Sequence, residues 1–415
     1  MQPYGKSWLL RRKLLHHALT PKALGTYKER QEAEASRLMW RLVDDPQKWE
    51  KEFDRFTASV VFSISYGRRI DSLDSEVIRE RLEFMHFMAS LNVPGAYLAE
   101  SFPILKYVPN FLAPWKRKIQ KMAEKEARSN MKLVENVRRD LKTGQEEGKN
   151  VPGSLTRLLL DVKKKEGIAL SEKHFSFIPA SLFGAGADTT ASTLCSAVLA
   201  LVTNPEILKR AQEEIDTIVG KTRSPTFADE GNLPYIRALV KEVLRWRPVA
   251  VLGGTPHASS EDDVYEGYHI PARTTILGNS WAINHNPLYY PSPETFDPAR
   301  FLAEDDSRSE EIWRGEKTHP GKEGHSSFGW GRRICPGEGL AENSLFVVLA
   351  KLVWAFNIRG VEGRTYDTMD YVGGFNVRPR SFECVIEPRS LEHREVLEKE
   401  LKQAEKVMER FPCYD

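Results

Sequence analysis

Four cysteines are scattered through the 415 residues, and one of them, Cys335, stands where a thiol can do chemistry. It lies in the string FGWGRRICPGEG, residues 328–339, between paired arginines and a Pro-Gly turn, and a long apolar run starts at Leu340. A helix beginning there turns unpaired backbone N–H groups and the positive end of its dipole toward the sulfur, which favours a thiolate able to ligate a metal. Gly331 and Gly337 let the backbone approach a flat ligand and turn sharply, Phe328 can cover the sulfur from water, and Arg333 can meet an acidic substituent. A thiolate with one open axial direction suits a haem iron. For a lone cysteine, an inert buried thiol is the competing reading.

Two other constellations have chemical potential. In ALVKEVLRWRP, Glu242 and Arg245 are three apart on one helix face but off its apolar stripe. Alone they read as an exposed ion pair worth roughly 0.2–0.5 kcal/mol. In FGAGADTTAST, Gly184 and Gly186 flank a turn that leads into Asp188, Thr189 and Thr190. A glycine-loosened helix with an acid and two hydroxyls can hold a water chain; packing accounts for the same letters by close helix contact and hydroxyls bonded one turn back.

Helices must carry most of these groups. The first hundred residues have apolar positions at helical spacing, as at Leu38, Met39, Leu42 and Val43, and a Pro-rich apolar loop, residues 93–115, interrupts them before a charged helical stretch resumes. Residues 175–203 are long and apolar enough to span a membrane, but Asp188 at the centre costs roughly 2.5–3.5 kcal/mol there, and a buried core helix fits better. Pro205 and Gly220 bracket one helix, and a second, with Ile236, Leu239, Val240, Val243 and Leu244 on one stripe, stops before Pro248. Short β-like runs fill 249–278, residues 303–327 are irregular, and the tail FECVIEPR alternates like a half-buried strand. No repeat or linker divides the chain, so one mainly α domain with small β-sheets, residues 1–415, is expected.

Phe328, Gly331, Arg333, Cys335 and Gly337 fill F-x-x-G-x-R-x-C-x-G without a mismatch, a pattern that resembles the haem-binding loop of the cytochrome P450 superfamily. Glu242 and Arg245 match the family's E-x-x-R, which implies a lock to Arg300 in ETFDPARFL. Ala185 to Thr190 resembles A/G-G-x-D/E-T-T/S, which implies Thr189 as the hydroxyl that passes protons toward dioxygen and Asp188 as the acid that feeds it. Trp8 and Arg12 resemble the family's W-x-x-x-R, and His257 follows Pro256 as in microsomal members; with Arg333, these would meet the haem propionates. The cofactor implied is haem b with Cys335 as its axial ligand.

The resemblance implies a monooxygenase that takes electrons from an NADPH-dependent flavoprotein reductase and puts one atom of dioxygen into a small hydrophobic substrate. RWRPVAVLGGTPH and DYVGGFNVRPRSF look most like fungal enzymes of secondary metabolism acting on aromatic or polyketide-like molecules. Substrate contacts would come from Val93 to Tyr97, the helix before Ala185, Val249 to Gly254, and Gly374 to Val377. Lys116, Arg117, Lys118, Lys121 and Arg332 offer a basic surface to an acidic reductase. Microsomal members carry an anchor, a hinge and the first strands ahead of the W-x-x-x-R helix. Here that helix starts near Met1, so about a hundred residues are expected to be missing, which points to a truncated form without an anchor. A full-length form would sit on the cytoplasmic face of the endoplasmic reticulum, with membrane contact through 93–115, and this chain would be cytoplasmic.

Sixty basic residues against 58 acidic ones leave no electrostatic footprint for nucleic acid, and the cysteines are too few for a disulfide framework. Two other readings compete: a reductase-independent haem-thiolate isomerase or dehydratase, and a non-productive haem-binding protein acting as an interaction partner.

Overall fold

The computed structural model describes residues 3–91, 95, 97–148, 151–374 and 376–414. As expected, helices dominate. Each described sheet is a two-stranded antiparallel ribbon: His257–Ala258 with Thr275–Ile276, Asp263–Tyr265 with Tyr268–Ile270, Phe356–Gly360 with Cys384–Pro388, and Tyr371–Gly373 with Val377–Pro379. The residues gather into two compact units, each made of discontinuous stretches.

One unit takes 192–338 and 345–394. Its helix Pro205–Ile218 opens on a proline, and Gly220 follows in the left-handed region at φ 75°. The next helix, Pro234–Trp246, lacks a cap from its own N-terminal neighbour. The carboxylate of Glu214 supplies one from the preceding helix, accepting from the N–H groups of Tyr235 at 2.9 Å and Ile236 at 3.1 Å. Most of Glu338–Ala355 belongs here too, and its residues from Leu345 onward are buried on all sides, as its apolar run predicts.

The other unit takes 2–191, 339–344 and 395–415. In it, Trp49–Tyr66 is buried without interruption from Arg55 to Tyr66. The long helix Glu172–Thr203, which belongs to this unit as far as Ala191, continues through Pro179 and both glycines with no break at Gly184 or Gly186. Its most apolar window is 78% buried, the mark of a core helix. The final helix, Leu391–Met408, was not evident from the sequence pattern. Its Ala404 and Met408 pack on Ala33, and the tail beyond it sets the Tyr414 ring 5.2 Å from Phe62.

Candidate active site: a thiol loop, a buried charge lock and a hydroxyl-bearing helix

The thiol loop forms a short 3-10 turn, Gly331–Arg333, followed by the Cys335 N–H donating to the Phe328 carbonyl at 2.8 Å. Gly331 (φ 57°) and Gly329 (φ 74°) are left-handed, and among the described residues nothing lies within 4 Å of where a Cβ would stand on either. Gly337 is the N-cap of Glu338–Ala355 at φ −92°, a conformation open to any residue, so the second glycine that the backbone requires is Gly329 and not Gly337. Cys335 is half-buried and lies two residues before that N-cap, which contributes no side-chain acceptor to the first turn. Phe328 and Arg333 are half-buried and Arg332 is exposed, while the His325 ring packs 5.7 Å from Phe328.

Glu242 and Arg245 are the opposite of an exposed pair: neither has any solvent exposure. Arg245 Nε and Nη2 donate to the two Glu242 oxygens at 2.6 and 2.7 Å, and Nη1 donates to the carbonyls of Asn284 and Pro293. Glu242 also accepts from the Asp297 N–H at 2.9 Å and lies 3.4 Å from Arg300 Nε. Arg300 in turn donates to the Pro291 and Ser292 carbonyls. A buried charge survives only when paired and hydrogen-bonded, and the other side of the helix is covered by 280–301, far away in sequence.

This lock reaches the thiol loop through residues the motifs did not mark. Asn284, whose carbonyl receives Arg245, accepts at Oδ1 from the N–H and the hydroxyl of Ser326, at 2.9 and 2.7 Å. Ser327 donates its hydroxyl to the Leu244 carbonyl at 2.6 Å. Trp330 then lies against Gly278 and Gly253; a Cβ on Gly278 would stand 2.6 Å from the indole. Single Asn, Ser and Gly residues carry no sequence signal for such roles.

In the other unit, Thr189 and Asp188 are half-buried on Glu172–Thr203, and the Thr189 hydroxyl donates to the Ala185 carbonyl at 2.9 Å, one turn back. Gly186 meets Trp49–Tyr66 closely, since a Cβ there would stand 2.6 Å from Val61 Cγ1. Both features match the packing account of this motif. Trp8 and Arg12 share a face of Lys6–His16, half-buried, with Tyr4 5.3 Å from the Trp8 ring. His257 is exposed, on a strand paired through Ile276.

Of the candidate substrate contacts, Val93, Pro94, Ala96 and Phe375 lie outside the described residues. Val249 and Val377 are brought together, the Val377 N–H donating to the Val249 carbonyl at 2.9 Å. Beside them, Arg378 donates to the buried Cys195 sulfur at 3.2 Å and the Tyr371 hydroxyl donates to Ser196 at 3.0 Å, a pair of contacts not foreseen from sequence. Lys116 donates into the Pro-rich loop, to the carbonyls of Lys106 and Val108, and so holds that loop.

The cytochrome P450 family model matches residues 2–384. Cytochrome P450 monooxygenase 58 of Postia placenta is 38% identical over 393 residues, covering 93% of this chain and 72% of its own length. The monooxygenase polD of Polytolypa hystricis is 33% identical, covering 96% of this chain and 75% of its own. A zebra fish cytochrome P450 solved with abiraterone shares the fold at a TM-score of 0.72 and 23% identity, over 93% of this chain and 82% of that one. With the family model spanning nearly the whole chain, named monooxygenases among its relatives and a helical fold to match, this chain belongs to the cytochrome P450 family.

Proposed function

We propose that this enzyme is a haem-thiolate monooxygenase that inserts one oxygen atom into a small hydrophobic substrate of aromatic or polyketide-like type, drawing electrons from an NADPH-dependent flavoprotein reductase. The observation that carries the reading is the thiol loop: a half-buried cysteine at a helix start, ringed by left-handed glycines with open space above them, is a donor set and cradle that fit haem b. Cys335 would be the iron ligand, Phe328 its cover, and Arg333, with Trp8, Arg12 and His257, the partners of the propionates. Bound there, the haem would supply activation of dioxygen, the thiolate's electron donation favouring O–O cleavage.

The chain's own residues divide the remaining work. The Glu242–Arg245–Arg300 lock holds Asn284 and hence the stretch leading to Phe328. Asp188 supplies protons to Thr189, whose hydroxyl must turn away from the Ala185 carbonyl to pass one on. Apolar segments around Val249 and Val377 exclude water from the substrate. Leu98, Ile104, Tyr107, Phe111 and Leu112, all exposed beside Lys106, would meet a membrane surface at the endoplasmic reticulum, and Arg117, Lys118, Lys121 and Arg332 would face the reductase.

The Thr189 hydroxyl bond to Ala185 favours a second reading, a reductase-independent isomerase or dehydratase, because that chemistry has no use for a proton relay. The reduced, carbon-monoxide-bound spectrum of the purified protein tests the first claim: a thiolate-type Soret band is expected, and it disappears in Cys335→Ala. Absence of haem uptake by the wild type refutes both readings and leaves a role as an interaction partner. Turnover that needs NADPH and reductase then selects the monooxygenase, and Thr189→Ala is expected to keep haem while diverting electrons to peroxide.

A further inference from the structure

We propose that Thr57, on Trp49–Tyr66, is a positioning residue for the turn that carries Asp188 and Thr189; the inference rests on the proton-relay reading of those two residues. Thr57 is buried, and its hydroxyl has three carbonyls within reach: Ala187 at 2.6 Å, Phe53 at 3.0 Å and Asp54 at 3.1 Å. A hydroxyl has one proton to donate, and the shortest approach is to Ala187. That carbonyl is also the acceptor, in an α-helix, for the N–H four residues on, at Ala191. A second donor pulls the carbonyl outward and lengthens the intrahelical bond, as happens where side chains or water reach into a helix ladder.

The contact belongs to a register along one face. Thr57, Val61 and Ser65 are spaced four apart, the i, i+4, i+8 pattern of a single helical stripe. Thr57 meets Ala187, Val61 meets Gly186, and the Ser65 hydroxyl donates to the Pro179 carbonyl at 3.1 Å. Two hydroxyl-to-carbonyl bonds therefore straddle the closest approach, and the absence of a Cβ at Gly186 brings Thr57 within reach of Ala187. All of these side chains are buried, so water does not replace the missing donor if Thr57 is changed. The carbonyl that Thr57 draws out is the one immediately before Asp188, and its turn also includes Thr189 and Thr190. The shape of that turn decides how readily the Thr189 hydroxyl leaves Ala185.

Thr57→Val keeps the branched shape and removes the proton, and Thr57→Ser restores it. Two readouts on the haem-loaded enzyme test the inference. Amide hydrogen exchange at Ala191 should slow about fivefold in Thr57→Val, because the Ala187 carbonyl then serves one donor; loss of a merely structural contact would quicken exchange across both helices. With reductase, NADPH and naphthalene as an aromatic probe, peroxide released per NADPH should rise at least threefold in Thr57→Val and return to the wild-type value in Thr57→Ser. If the valine variant fails to retain haem, Thr57→Ala is read in the same two ways. Unchanged exchange at Ala191 overturns the proposal. So does normal coupling in Thr57→Val while Thr189→Ala uncouples; normal coupling in both variants overturns the relay reading together with it.

Discussion

Replacing Glu242 with glutamine gives the sharpest test of the buried lock. The carboxylate accepts two bonds from Arg245 and one from the Asp297 N–H and balances Arg300 at 3.4 Å, all without solvent exposure. Glutamine has nearly the same shape. However oriented, it turns an NH₂ toward an arginine or the Asp297 N–H and removes the carboxylate that pairs with both Arg245 and Arg300. Breaking a buried pair by removing one partner costs about 3–5 kcal/mol, and with no exposure there is no solvent screening to reduce it. For 415 residues the unfolding entropy at the midpoint is roughly 0.9 kcal/mol/K, so Tm should fall by about 3–6 °C. Thermal unfolding followed by circular dichroism, with the Soret band recorded in parallel, reads both the fold and the haem loop to which the lock is tied through Asn284 and Ser326. The exposed pair Lys402–Glu398 is the control, and Glu398→Gln should shift Tm by less than about 1 °C. A shift for Glu242→Gln no larger than that control's would refute the claim that the lock stabilises the fold.

Acid should weaken the protein before its carboxylates titrate. Burial, reinforced by Arg245, pushes the His285 ring down to about 4, and burial, reinforced by Lys241, pushes His325 down to about 3. Folded-state values below the unfolded one mean that the unfolded chain binds the protons, so stability is full above about pH 6.5 and falls as pH drops toward 4. The slope is about 1.4 kcal/mol per pH unit for each ring; a Tm profile flat from pH 7 to pH 5 would contradict it, and His325→Gln should reduce the slope by about that one-ring amount. Gly186→Ala forces a Cβ against the stiff Val61 side chain and should cost about 1–3 kcal/mol, whereas Gly184→Ala, which meets none of the described residues within 4 Å, should leave Tm unchanged or slightly raised. Equal melting temperatures for these two variants would mean that the helices do not touch at Gly186.

Which parts were legible in the sequence follows from the range over which each feature is determined. Helix Pro234–Trp246 and the thiol loop were visible because proline, glycine and a 3.6-residue stripe act within a few residues of themselves. Read from its own helix, Glu242–Arg245 looked like a surface pair, since one stripe was already apolar; residues 280–301 bury the other face, and local periodicity carries no trace of them. Gly329 was passed over for Gly337 because composition does not say which glycine needs φ above zero.

Sequence by itself therefore determined the family, the thiol and the helical character of the chain, because those depend on neighbouring letters whose chemistry is intrinsic. Tertiary structure alone decided that Glu242 and Arg245 are fully buried, that Thr189 bonds back to Ala185, and that Thr57 reaches the carbonyl before Asp188. Each of those outcomes depends on which distant segment covers a given helix face, and burial of that kind is a property of the packed chain.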